Sequence, residues 1–172
     1  MKHAHGFSLL EVLIAFALLS VGISTLAAVS GLAVRAADDA RRASVASVAA
    51  DQKLESLRAL SWGYDDLGTA ITDVDLGVSP SDSLTRNVDG YFEYLDAAGR
   101  DADPDDEGAS AAAPSFVRRW SIQPLPAHPL TSIVIEVLVV PYTGSNPPPS
   151  AALSRGARRL AVRTRRSLIS AP

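Results

Sequence analysis

The sequence has no cysteine and a single methionine. Disulfides, thiol nucleophiles and cysteine-based metal sites are therefore excluded. An oxidising compartment stays open, because an exported domain need not carry disulfides. Three histidines occur, and His3 and His5 fall at the extreme N-terminus, which leaves His128 in a turn bounded by Pro124 and Pro129. No nucleophile motif, phosphate loop or paired ligand set is present, so the residues give catalysis nothing to work with. Proline is missing before Pro80, and nothing there forces a helix to break. Charge is missing from Val12 to Val34.

That uncharged run has 23 residues, and about 20 suffice to cross a hydrocarbon core. Lys2 precedes it and Arg35 follows it. The short, acid-free side of Lys2 favours a cytoplasmic N-terminus, with the remainder outside the membrane. The run is longer than the apolar core of a cleaved signal peptide, about 7–15 residues. Glu11 stands at its head. A carboxylate in a membrane segment costs about 2.5–3.5 kcal/mol on insertion scales, and such residues are functional candidates by default.

The stretch GFSLLEVLIA, residues 6–15, resembles the N-terminal motif of type IV prepilins and of the pseudopilins of type II secretion. The pattern in that family is a short basic leader ending in Gly, then Phe, Ser or Thr, two aliphatics, Glu and a long apolar run. Lys2, Gly6, Phe7, Ser8, Leu9, Leu10, Glu11 and the run from Val12 supply every element. The resemblance is close up to Arg35 and loose beyond it.

The resemblance implies that a prepilin peptidase cuts between Gly6 and Phe7 and that the new terminus, Phe7, is N-methylated. It implies that Glu11 faces the amine of Phe7 on a neighbouring subunit during assembly. Opposite charges attract far more strongly in a low dielectric than in water, and a buried pair can fix register. The implied partners are other pilin or pseudopilin subunits, the peptidase, the inner-membrane assembly platform and the membrane. The implied location is the inner membrane, single-pass, with the head periplasmic, and then a pilus or pseudopilus at the cell surface. The implied function is structural rather than enzymatic, with no cofactor. LLEVLIAFALLSVGISTLAAV, residues 9–29, is similar to minor pilins of the PilV-like group. Many major pilins carry a proline in this helix, and its absence points to a minor pilin or a minor pseudopilin of type II secretion. A single-pass membrane-anchored binding module with a prepilin-like N-terminus stays open as a third reading. Adhesion, DNA uptake, priming and twitching motility are all compatible with the chain.

Good helix formers dominate Leu32 to Leu60. Val45, Val48, Ala49, Gln52, Leu54 and Leu57 nearly trace one face at helical spacing, with Gln52 as a defect. Ser61-Trp62-Gly63 is the expected stop, with Gly63 suited to the helix end. The reading divides the chain into a leader (1–6), a transmembrane or filament-core helix (7–34), its amphipathic continuation (35–61) and a globular head (62–172). Within the head an αβ loop (62–89) with one short element precedes a sheet (90–172).

Four strands are predicted. They are Gly90 to Asp96, Phe116 to Gln123, Ser132 to Val140 and Arg158 to Ser167. In the second, Phe116, Trp120 and Ile122 share a face on which Arg118 is the exception. The third is apolar on both faces except at Glu136, which suits a central strand. In the fourth, Leu160, Val162 and Thr164 are expected inward, and Ala161, Arg163 and Arg165 outward. Short links make an antiparallel meander, packed by one face on the helix: an α+β fold of the type IV pilin kind.

Charge is segregated. Residues 65–107 hold thirteen acids against Arg86 and Arg100, and residues 108–172 hold eight arginines against Glu136. Blocks of this size suggest complementary contacts within the fold or between subunits. Asp101, Asp103 and Asp105 match the start of a calcium loop, but Asp106 stands where glycine is needed and Ala112 where glutamate is needed. Calcium binding and a plain solvated loop both remain open there. Arg158, Arg159, Arg163 and Arg165 could meet a polyanion such as DNA. They could equally form an ordinary wet face of the sheet or contact the acidic block of a neighbouring head.

Overall fold

The computed structural model describes residues 8–65, 67–102 and 112–165. The chain divides into two compact units, the first ending at Arg41 and the second beginning at Arg42. Helix α1 (Leu9–Ala59) contributes to both. In the first unit every described side chain is exposed.

In the second unit α1 is followed by a hairpin of β1 (Trp62–Tyr64) and β2 (Ala70–Thr72) and by a single 3-10 turn, Val74–Leu76. The region is more ordered than the loop with one element expected of it. Its acids explain why: the Asp65 carboxylate accepts from the backbone N–H of Leu67 and Thr69 at 2.9 and 2.7 Å, and Asp73 caps the 3-10 turn through Asp75 N–H. Asp side chains close turns by taking such backbone donors.

Then come β3 (Phe92–Leu95), β4 (Phe116–Pro124), β5 (Ser132–Pro141), the short helix α2 (Ser150–Ser154) and β6 (Ala157–Thr164). The sheet runs in the order β3-β4-β5-β6, antiparallel throughout. The predicted meander and the central place of the third strand are both observed, and the fold is α+β, a long N-terminal helix on antiparallel sheets.

The helix face is rotated from the predicted one. Ala46, Ala49, Ala50, Leu54 and Leu57 are buried, whereas Val48 is 53% exposed and Gln52 faces solvent. Small side chains let the helix backbone lie close to the sheet, and the contact is made by alanines rather than by the more hydrophobic valine. Opposite them lie Phe116, Trp120 and Ile122 of β4 and Ile133, Ile135, Val137 and Val139 of β5. A second, smaller cluster on the other face of the sheet joins Val117, Leu138 and Val140 to Leu84 of the loop and Leu153 of α2.

Gly63 does not end the helix. It lies in β1, three residues past Leu60, and α1 stops at Ala59. The carbonyls at that end are taken by a side chain from the sheet: Arg163 of β6 donates to Leu57 O at 3.1 Å and to Leu60 O at 3.0 Å. An arginine at a helix C-terminus satisfies orphan acceptors and complements the negative end of the dipole.

Arg163 is on the helix side because β6 has the opposite phase to the predicted one. Ala157, Arg159, Ala161 and Arg163 face α1, while Leu160 and Val162 are exposed. Hydrophobicity favoured Leu160 and Val162 as the inward set. The alanines instead fit against the alanine-lined helix, and the long arginine stems run past its edge and place their charged heads on it.

One ion cluster ties three elements together. Glu93 of β3 accepts from Lys53 of α1 and from Arg118 of β4, with Arg118 Nε at 2.9 Å. Arg118 also reaches the helix backbone, donating from Nη1 to Ala49 O at 3.1 Å. Lys53 Nζ sits 3.7 Å from the centroid of the Trp120 ring. The residue that looked like an exception on the inner face of β4 is thus its link to the helix. Burial works against the charge on Glu93, but the two cations together outweigh it and hold the carboxyl below its ordinary value.

Two tests follow from this packing, both by urea unfolding of the full chain in detergent micelles. A Cβ on Gly156 would lie 2.8 Å from Val140 Cγ1 and 2.9 Å from Val139 O. Gly156→Ala should therefore lose about 1–3 kcal/mol, while Gly63→Ala, whose Cβ meets nothing within 4 Å, should stay within about 0.5 kcal/mol. Glu93→Gln should lose about 1–3 kcal/mol at neutral pH, because it strands two cations. A carboxyl with a depressed folded-state pKa stabilises above its unfolded value and loses that contribution as pH falls through its folded value. The gap between wild type and Glu93→Gln should accordingly shrink below the ordinary value of 4.5; a gap that widens there contradicts the assignment.

Candidate assembly site

The first unit is a helix whose chemistry is concentrated at its start. Ser8 O accepts from Glu11 N–H at 3.0 Å and from Val12 N–H at 3.2 Å, which closes the first turn. Glu11 lies in that turn, where a carboxylate is favoured by the positive end of the helix dipole. Among the described residues no cation pairs with it. One turn on, the small side chain of Ala15 leaves a notch bounded by Glu11, Val12, Phe16 and Leu19. Gly6 and Phe7, the residues expected to flank the cleavage point, lie outside the described residues.

The apolar run is compatible with lipid at the level of its polar atoms. Ser24 Oγ donates to Ser20 O and Thr25 Oγ1 to Val21 O, each at 2.8 Å, and Ser20 Oγ donates to Phe16 O. These three hydroxyls are satisfied by the carbonyl one turn back, so they demand no partner from the bilayer. By length and composition α1 can span a membrane.

The other sequence candidates are on the head. Asp101 bridges to Leu95 at the end of β3. Asp103 and Asp105 lie outside the described residues, and among the described residues no cluster of three or more His, Asp or Glu is placed to hold a metal. The four arginines proposed for a polyanion are brought to one strand and its end, but each has a partner in its own chain. Arg158 pairs with Glu136 at 2.9 Å and Arg159 with Asp51 at 2.5 Å. Arg163 holds the helix end; burial first, and then the like charge of Arg58, lower its pKa. Arg165 stacks over Trp62, 3.9 Å from the ring centroid, and bonds Thr72 Oγ1.

Sequence reasoning did not single out Lys53, Glu93 or Arg119. A signal existed for Glu93, a lone charge within the aromatic stretch Tyr91-Phe92-Glu93-Tyr94, whereas Lys53 stands among Asp51, Glu55 and Arg58 and is not distinguished in sequence. Arg119 is only 1% exposed, on the face of β4 away from α1. Its Nε and Nη2 donate to Asn87 Oδ1 at 2.9 and 2.6 Å. Asn87 N–H in turn donates to Asn146 Oδ1, so this network pins the loop before β3 to the sheet. Burial lowers the pKa of Arg119, with Tyr94 acting in the opposite sense.

Comparison with known proteins yields one match. A family model described as the prokaryotic N-terminal methylation motif matches residues 1–27. Searches among curated proteins and among solved structures find no match. The matched segment contains the leader, Glu11 and the apolar run as far as Ala27, and the remainder of the chain lies outside it. Together with the apolar helix α1, the motif supports a membrane-anchored subunit of the type IV pilin and pseudopilin kind.

Proposed function

We propose that this chain is a minor pilin, most similar to the PilV-like group, that is processed in the inner membrane and assembled into a type IV pilus or a related filament. The observation that carries the reading is the methylation motif set directly against an exposed, uncharged helix headed by Glu11. The leader, residues 1–6, is removed between Gly6 and Phe7, and Phe7 is methylated. The head lies on the periplasmic side until the subunit enters the filament.

Glu11 acts as an assembly register. Its carboxylate has no cation of its own among the described residues, and in lipid it is costly alone. The amine of Phe7 on a neighbouring subunit satisfies it, so the assembled state is favoured over the free subunit. The notch at Ala15 gives a neighbouring apolar side chain room beside that pair.

The proline-free run supports a second reading, a minor pseudopilin of type II secretion. Processing would be the same, and the two are separated by which filament incorporates the chain. DNA as a ligand is not favoured, because Arg158, Arg159, Arg163 and Arg165 are engaged within the head.

Intact mass and N-terminal sequencing of protein from its native membrane test the processing step. Wild type should begin at N-methylated Phe7, and Gly6→Leu should retain residues 1–6. A wild-type chain still beginning at Met1, in cells with an active prepilin peptidase, would leave only a membrane-anchored binding module. Glu11→Ala should be cleaved normally yet enter filaments at least about tenfold less, since a tenfold change corresponds to only about 1.4 kcal/mol. Undiminished incorporation in sheared filament fractions would remove the register role.

A further inference from the structure

We draw no further inference here: the strongest candidate, the half-open cavity of about 630 Å³ bounded by the end of α1, the 3-10 turn and the start of β3, has its Lys53 and Glu93 already spent on the ion cluster that ties α1 to the sheet, and nothing in the structure shows what would occupy it.

Discussion

The head depends on Glu93. Its carboxylate stands between a cation from the helix, Lys53, and a cation from the neighbouring strand, Arg118. Because Arg118 also reaches Ala49 O, the cluster holds the helix by its backbone as well as by a side chain. Isolated burial of any one of these charges would be costly, and removing one partner exposes that cost. The alanines at 46, 49 and 50 make the arrangement feasible, since larger side chains would hold the helix backbone out of Arg118's reach. The interaction and the packing are therefore one constraint, and the choice of small residues on α1 follows from it.

The two ends of α1 solve opposite problems. From Leu9 to Val34 the helix is apolar on every side, and the hydroxyls of Ser20, Ser24 and Thr25 are turned back onto its own carbonyls. That surface asks only for lipid or for other helices. From Ala46 onward a single narrow face is buried and the helix end is closed by Arg163. That surface asks for one particular sheet. Glu11 is the exception in the first part, as Lys53 is in the second. Lys53 finds its partner within the chain. Glu11 has none among the described residues, which is the property expected of a group whose partner belongs to another subunit.

Much of the head was legible in the sequence because strand signals are local. The alternation in Phe116 to Gln123, the two-sided apolar run at Ser132 to Val140 and the short links between them were enough for strand number and order. The phase of β6 was not legible. Arg-Arg-Leu-Ala-Val-Arg-Thr alternates whichever face is turned inward, and residue hydrophobicity pointed the wrong way. Only the shape of the opposing surface decides it, since an alanine-lined helix accepts Ala157 and Ala161 and has Asp51 and two free carbonyls within reach of arginines. The end of α1 was placed within two residues, but what closes it was not legible, for a related reason. Glycine is the local stop signal, but here the stop is a side chain from a strand about a hundred residues further along the chain.

By itself the sequence determined the membrane-length apolar run, the methylation motif at residues 1–27 with Glu11 inside it, and the α+β class of the head. These are properties of contiguous residues: hydropathy, spacing and turn chemistry act over a few positions. Tertiary structure alone decided which arginines are spent inside the head and which face of β6 meets the helix. Those outcomes depend on pairings between distant segments, where a charge finds its partner through the fold and not through its neighbours in sequence.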